Sequence, residues 1–247
     1  LLLRGGNHCD HCRRSIMKHP FDFVAGEVLL IDKPYEWTSF DVVGKVRNIV
    51  RRVTGVKKIK VGHAGTLDPL ATGLLILCTG KKTKEIMHIQ AEDKEYTGTI
   101  TLGATTPSYD LETEIDKTWP TDDLTLEQLQ EAANTFVGDI MQRPPLFSAK
   151  KVDGKRAYEL ARKGSDLELK KNPVRIESFE IEAFRNPEVD FLIRCSKGTY
   201  IRSLAHDLGA ELNNGGHLSS LRRKASGNFR VEDALTPEQF EAICASL

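Results

Sequence analysis

The most unusual segment of the sequence is a loop rich in glycine, threonine and proline, and it carries a single carboxylate. The loop spans residues 62–73, and Asp68 stands in it between Leu67 and Leu70, directly before Pro69. Proline biases the residue before it away from the helical region, so we expect a rigid loop with this carboxylate in an apolar, water-poor setting. Such a carboxylate can serve as a nucleophile or a base. An ordinary Asp-Pro turn is the alternative, and the loop alone favours it.

A second candidate is an arginine at the start of a predicted helix. Arg202 falls in the first turn of the helix that Thr199 opens, where the positive end of the helix dipole disfavours a cation. An anionic partner would compensate, and Asp68 is a candidate for it. In a buried pair the arginine would keep the carboxylate ionised. The alternative is an arginine that reaches solvent or binds a surface acid.

Three other residues suit a site by their type but suit a structural role equally well. Tyr96 and Tyr200 can stack on a base or pack in the core, and their positions favour the core. His63 lies in the same loop as Asp68, although a lone histidine is more often structural. After residue 20, no spacing of His, Cys, Asp and Glu is that of a metal site. Residues 80–83 lack the earlier glycine of a phosphate-binding loop, which excludes nucleotide hydrolysis.

Basic side chains cluster, although 35 basic and 35 acidic residues cancel to a net charge of zero. Residues 45–60 include seven cations and no acid. A second basic group lies within residues 143–163 and a third at residues 222–224, whereas acids concentrate in residues 110–131. One basic face would complement a phosphate backbone. Solvated helix faces are the alternative, and charge alone favours neither.

The elements that position these residues follow from hydrophobic periodicity and capping signals. Strands are predicted at residues 27–32, 74–78, 95–103, about 174–184 and 189–196. Helices are predicted after Thr38, after Thr125, over 156–163, after Thr199 and after Thr236. This irregular alternation indicates an α+β fold with a mixed, mainly antiparallel central sheet flanked by helices and loops.

The composition is that of a globular protein, with 247 residues of which 40% are hydrophobic and 28% charged. It excludes collagen-like, disordered and membrane-spanning classes, because no apolar run approaches the ~20 residues of a membrane span. Five scattered cysteines and the lack of a signal peptide indicate a cytoplasmic location. Residues 1–20, where Cys9 and Cys12 have the spacing of half a zinc site, are expected to be a disordered tail or one added for expression.

Taken together, the motifs resemble one family, the bacterial tRNA pseudouridine-55 synthases of the TruB family. The resemblance covers about residues 24–235 and follows the order of the chain. A series of ordered motifs is far more specific than any one of them. The matching segments are residues 26–34, 37–39, 62–73, 94–98, 102–103, 142–145, 147–149, 152–154, 156–159, 195–202 and 217–223.

The resemblance implies a pseudouridine synthase catalytic domain over residues 21–247, with no room for a full C-terminal PUA domain. It implies an isomerase that cleaves the N1–C1′ bond of a uridine in the tRNA T-loop (position 55) and rejoins the base through C5, without metal or organic cofactor. Asp68 matches the catalytic aspartate, Arg202 its arginine partner and Tyr96 the tyrosine that stacks on the target base. Residues assigned to substrate binding are His63, Tyr200, Leu221, Lys33, Gly65 and Thr66.

Several alternatives stay open at this stage. The carboxylate of Asp68 can attack C1′ or remove a 2′ proton to give a glycal. A non-catalytic protein that binds and remodels tRNA is the first rival function, and the presence of Asp68, Tyr96 and Arg202 argues against it. A guide-RNA-dependent synthase is the second rival, and the bacterial-type loop argues against it. We expect a monomer that binds the T-arm of tRNA and neither a membrane nor a nucleotide cofactor.

Overall fold

A computed structural model of the chain describes residues 21–148, 151–152, 155–156 and 169–246. The tail predicted for residues 1–20 lies outside this range. So does the helix predicted over 156–163, except for its first residue, which belongs to a short strand.

The described residues form short and long strands interleaved irregularly with helices, as predicted. The strands are β1 Val28–Lys33, β2 Val61–His63, β3 Ala71–Thr79, β4 Lys94–Leu102, β5 Ala104–Thr105, β6 Lys117–Thr118, β7 Gly138–Gln142, β8 Lys151–Val152, β9 Lys155–Arg156, β10 Asn172–Arg185, β11 Glu188–Cys195, β12 Gly216–Ser226 and β13 Phe229–Arg230. The helices are α1 Ser39–Thr54, α2 Ile86–Ala91, α3 Leu126–Asn134, α4 Ile201–Glu211 and α5 Pro237–Ala245. Within this part of the chain, no helix combines the length and the hydropathy needed to cross a membrane.

Nine of the described strands form one sheet in the order β1-β3-β12-β4-β11-β10-β7, with β2 paired to β3 and β13 to β12. All neighbours are antiparallel except β3 and β12. The predicted mixed, mainly antiparallel sheet is therefore confirmed. The pattern missed β12, because the charged residues at 222–224 interrupt its apolar alternation.

Two glycines let β12 approach its neighbours closely. Gly73 of β3 pairs with Arg223 and has a φ of +102°, and a Cβ there would lie 2.4 Å from the Arg223 carbonyl oxygen. Gly98 of β4 pairs with Leu221, and a Cβ there would lie 2.2 Å from the Ser220 carbonyl oxygen. Any side chain at either position would push the strands apart, so these glycines keep β3, β12 and β4 together under the site.

Helices cover the sheet through two main apolar clusters. Helix α1 begins with the predicted capping box of Thr38 and Asp41 and buries its valine and isoleucine face, together with α5, against β1 and β3. Helices α3 and α4 pack against β4, β10 and β11. The second cluster includes Tyr96 and Ile201, so the residues around the predicted site rest on well-packed core.

Candidate active site

The Asp68 loop connects β2 to β3 and is shorter than predicted, because β2 already includes His63 and β3 starts at Ala71. Gly65 adopts a φ of +107°, a conformation that favours glycine. Its carbonyl oxygen accepts a hydrogen bond of 3.0 Å from Nη2 of Arg223. The loop is therefore held from below by a guanidinium on β12.

The loop is also fastened to the start of α1. The Ser39 hydroxyl accepts a 2.9 Å hydrogen bond from the Leu67 amide and donates one of 3.2 Å to the Leu67 carbonyl. Lys33 donates from Nζ to the carbonyl oxygens of Pro34, Trp37 and Pro69. These bonds fix the backbone on both sides of Asp68.

The assignment of Lys33 to substrate binding does not fit this geometry. Its side chain is 0% exposed, and its three N–H donors are already taken by backbone carbonyls. Burial lowers the pKa of Lys33 to about 8, against the opposing effect of the Asp68 charge. Lys33 shapes the loop that carries Asp68 and does not contact the cavity.

The predicted pair of Asp68 and Arg202 is present. Arg202 Nε lies 2.9 Å from Oδ2 of Asp68, and Nη2 donates to Oδ1 at 3.3 Å. Nη1 of Arg202 donates to the carbonyl oxygens of Ser108 at 3.1 Å and Phe147 at 2.8 Å. The guanidinium is thus held in one orientation, with one edge toward the carboxylate.

The setting of this pair differs from the expected water-poor pocket. The Arg202 side chain is 4% exposed, whereas that of Asp68 is 40% exposed. The carboxylate is therefore open to a cavity, and its negative charge is balanced from the buried side by the cation. The two leucines that flank Asp68 in sequence do not enclose it, because Leu67 turns into the core and Leu70 stays half-exposed.

A second carboxylate adjoins the pair and was not anticipated. Asp110 is 5% exposed, and its Oδ2 lies 3.7 Å from Arg202 Nε. Its Oδ1 accepts a hydrogen bond of 3.0 Å from the Glu112 amide. Asp110 belongs to an acidic, turn-rich segment, so nothing in the sequence pattern separates it from its exposed neighbours.

Helix α4 starts two residues later than predicted. Tyr200 is its N-cap and provides no side-chain cap, while the Thr199 hydroxyl donates to the Ser196 carbonyl oxygen at 2.9 Å. The side chain of Gln142, from β7, instead binds the backbone at the start of the helix. It accepts a hydrogen bond of 2.8 Å from the Tyr200 amide and donates one of 3.0 Å to the Tyr200 carbonyl oxygen. Arg202 still lies in the first turn, as predicted. Gln142 therefore links the sheet edge to the turn that presents Tyr200 and Arg202.

A cavity of about 730 Å³ opens over these residues. This volume is within the usual range for ligand sites. The lining includes Gly65, Thr66, Asp68, Tyr96, Tyr200, Arg202, Leu221 and Arg223. A carboxylate, aromatic rings and an apolar side chain thus face one space.

Tyr96 belongs to the core and also lines the cavity. It is 9% exposed. Burial raises the pKa of Tyr96, and the Arg223 charge acts in the opposite direction. Burial likewise raises the pKa of Tyr200. Both phenols are therefore protonated at neutral pH.

His63 lies on β2, outside the residues that line the cavity. Its ring packs edge-on against Phe40, with ring centroids 5.6 Å apart. Burial and the Arg223 charge lower the pKa of His63. The imidazole is therefore neutral at neutral pH, and it stands at the start of the Asp68 loop.

The basic groups seen in the sequence divide into paired and free side chains. Lys45 and Arg52 both contact Glu241, whereas Lys57, Lys58 and Lys60 are exposed. Lys60 directly precedes β2, which leads into the Asp68 loop. The exposed lysines therefore lie on the connection between α1 and β2, at the opposite end of β2 from the Asp68 loop.

The predicted basic group at residues 222–224 is not a free surface patch. Arg222 binds both carboxylate oxygens of Asp32, at 3.0 and 2.7 Å. Lys224 pairs with Glu232 at 2.5 Å. Arg223 is buried. Alternation along β12 explains this division, because neighbouring side chains point to opposite faces of the sheet.

Two family models together match residues 51–246. Residues 51–201 match the TruB family pseudouridylate synthase N-terminal domain, and residues 202–246 match the tRNA pseudouridylate synthase B C-terminal domain. The tRNA pseudouridine synthase B of Phocaeicola vulgatus is 57% identical over 219 residues, which cover 89% of this chain and 93% of that protein. The protein of the same name from Flavobacterium johnsoniae is 52% identical over 223 residues, covering 90% and 97%.

Solved structures support the same relationship. The chain is similar to one in a crystal structure of a Cbf5-Nop10-Gar1 complex, with a TM-score of 0.64 and 28% identity over 87% of this chain and 53% of that one. A structure of an H/ACA RNP bound to a substrate RNA containing 2′-deoxyuridine has a TM-score of 0.62 and 25% identity, covering 87% and 52%. Our chain spans about half the length of these two solved chains. The chain therefore belongs to the TruB family of pseudouridine synthases and is a tRNA pseudouridine synthase, an isomerase that acts on tRNA.

Proposed function

We propose that this protein converts the uridine at position 55, in the T-loop of tRNA, to pseudouridine, and that Asp68 is its catalytic carboxylate. The observation that supports this most strongly is the open Asp68 carboxylate bound from beneath by a buried Arg202. Ion pairing holds a carboxylate in its charged form. A charged oxygen at the floor of a cavity is what chemistry at the C1′ or C2′ of a ribose requires.

In this proposal Asp68 acts on the ribose, and Arg202 holds its carboxylate in position. An oxygen of Asp68 attacks C1′ while the N1–C1′ bond breaks, or it removes the 2′ proton as the base departs. Both routes need the same ionised carboxylate. After the base has turned, C5 bonds to C1′ while Asp68 is displaced from C1′ or returns its proton to C2′. The C5 proton is then lost and N1 gains a proton from solvent, which completes pseudouridine and leaves Asp68 in its starting state.

Tyr96, Leu221 and Tyr200 would hold the target base. Base flipping costs a few kcal/mol of unstacking, and an aromatic face returns ~1–3 kcal/mol per stacked base. Tyr96 and Leu221 lie on neighbouring strands β4 and β12 and both line the cavity. A planar base between the tyrosine face and the leucine side chain would lie with its sugar toward Asp68.

The outer surface suits an RNA backbone. Thr66 is exposed at the cavity edge, and Lys57, Lys58 and Lys60 are exposed just before β2. Cations along this connection would neutralise phosphates of the T-arm and offset the cost of flipping. We assign Gly65 to loop geometry, Thr66 to the RNA side, and His63 to contact with nucleotides next to the target.

The proposal extends to the form in which the protein acts. Residues 21–247 would constitute one catalytic domain that works as a monomer on the T-arm. Identity of 57% to a protein named tRNA pseudouridine synthase B, against 28% to a chain of a Cbf5-Nop10-Gar1 complex, favours action without a guide RNA.

The test uses an unmodified T-arm transcript and a matched transcript in which cytidine replaces the uridine at position 55. We expect pseudouridine at that position in the first transcript and none in the second, in the absence of any other RNA. Binding without product would favour a non-catalytic tRNA-remodelling protein. Product that appears only with an added guide RNA, or at another uridine, would also contradict the proposal.

A further inference from the structure

Arg223 is a buried cation beneath the cavity. Its side chain is 2% exposed. It donates to the carbonyl oxygens of Leu74 at 2.8 Å, Gly65 at 3.0 Å and Thr66 at 3.4 Å. In the described part of the chain, no acidic side chain forms an ion pair with it. A buried charge without a counterion is costly, so stability alone does not explain a cation here.

The same guanidinium reaches the other side of the cavity floor. Arg223 of β12 stands opposite Tyr96 of β4 in the register, and both residues line the cavity. One positive group is therefore bonded to the loop that carries Asp68 and lies beside the tyrosine on which the base would rest.

The chemistry of the proposed reaction requires positive charge at this place. When the N1–C1′ bond breaks, its electron pair stays on N1, and the uracil leaves as an anion delocalised over its ring and carbonyl oxygens. This holds whether C1′ is captured by a carboxylate oxygen or the 2′ proton is removed. Fixed charges aimed at a developing anion are among the largest contributions to catalysis.

We propose that Arg223, fixed beside Tyr96 at the cavity, provides the positive field in which the detached uracil anion forms. The inference depends on the proposed function, because the anion arises only in that reaction. It gives Arg223 a different role from Arg202: Arg202 balances the charge of the carboxylate, and Arg223 balances the charge of the departing base.

The experiment compares Arg223→Gln and Arg223→Lys with the matched control Arg222→Gln, whose side chain binds Asp32 instead. Single-turnover rates of N1–C1′ bond cleavage and RNA dissociation constants are measured on T-arm RNA with uridine or 5-fluorouridine at the target position, because 5-fluorouridine has no C5 proton to lose in the final step. Fluorine withdraws electrons and stabilises the departing anion, so it should partly replace the lost cation.

With uridine, we expect Arg223→Gln to lower the single-turnover rate about 100-fold, the scale of losing one fixed charge-stabilising group. The RNA dissociation constant of Arg223→Gln should change less than about 3-fold. With 5-fluorouridine, its rate loss should shrink to about 10-fold if roughly half of the lost stabilisation acts on the leaving anion. Arg223→Lys, which keeps the charge, should lose less than about 10-fold on either base.

An equal loss on both bases, an Arg223→Lys variant as slow as Arg223→Gln, or an equally slow Arg222→Gln would overturn the inference. If Arg223→Gln does not fold, the Arg223→Lys comparison decides alone. Absence of product from the unmodified enzyme would refute the proposed function as well. Normal turnover by the unmodified enzyme, together with an equal rate loss of Arg223→Gln on both bases, would refute only the role of Arg223.

Discussion

Arg202 and Asp68 form an ion pair in which only the cation is buried, since the arginine side chain is 4% exposed and that of the aspartate 40%. The carboxylate consequently receives its counter-charge from the protein while its other side faces the cavity. In the proposed reaction the RNA contacts this oxygen directly and completes its desolvation.

Replacement of Arg202 tests how much of the site depends on its fixed orientation. Arg202→Lys keeps a charge but cannot bind Asp68 and the carbonyls of Ser108 and Phe147 together. We expect a turnover rate reduced about 100-fold or more. Arg202→Met should also lower the free energy of unfolding by roughly 2–4 kcal/mol, because buried acceptors lose their donor. Single-turnover kinetics and urea denaturation measure the two effects, and near-normal activity of Arg202→Lys would refute this role.

Variants of Tyr96 separate stacking from its hydroxyl. Tyr96→Phe keeps the aromatic face, and a stacked ring accounts for ~1–3 kcal/mol, so RNA affinity should stay within about 3-fold. The rate should fall because the hydroxyl is lost. Tyr96→Ala removes the face and leaves a hole in the core, which should cost roughly 3–5 kcal/mol of stability. Its RNA dissociation constant should rise by roughly 10–100-fold. Filter binding of T-arm RNA checks both, and equal affinities of the two variants would rule out stacking.

The elements were predictable where a local rule dominates. Helix α1 was predicted from the capping box of Thr38 and Asp41 and from its periodic valines. Strand β4 was predicted from its alternating polar and apolar residues. The sequence pattern did not predict strand β12, because two charged residues alternate there. Arg222 forms an ion pair with Asp32, and Arg223 is buried. A buried arginine looks like a surface residue until its carbonyl partners are known.

The sequence predicted the pairing of Asp68 with Arg202 but not the burial and contacts of the residues around them. The dipole argument brought Arg202 to Asp68 correctly. The exposure of Asp68, the enclosure of Lys33 and the approach of Asp110 all depend on contacts between segments distant in sequence. Spacing along the chain contains no information on such contacts.

The salt dependence of RNA binding tests the exposed lysines before β2. Replacing Lys57, Lys58 and Lys60 by alanine should weaken binding and reduce the slope of log affinity against log salt by about 0.7–0.9 per lost phosphate contact. The matched control is the pair Lys45→Ala and Arg52→Ala, whose charges are already bound by Glu241. An unchanged slope in the triple variant, or the same change in the control, would move the RNA path elsewhere.

The buried Lys33 predicts a pH dependence of stability. Burial lowers its pKa from 10.5 to about 8, so between these values the unfolded chain binds more protons than the folded one. The free energy of unfolding therefore rises with pH across that window. Lys33→Met removes this contribution, and urea denaturation from about pH 8 to about pH 10.5 should give a shallower rise. A slope equal to that of the parent protein would contradict the burial of a titrating ammonium.

The most direct test of the account is the pseudouridine yield of Asp68→Asn on an unmodified T-arm, with Asp233→Asn as the control at an exposed position. The amide fills nearly the same space but can neither attack C1′ nor remove a proton. We predict RNA binding close to that of the parent protein, normal yield from Asp233→Asn, and a rate from Asp68→Asn reduced at least about 1,000-fold. Pseudouridine formed by Asp68→Asn at an undiminished rate would show that another group performs the chemistry.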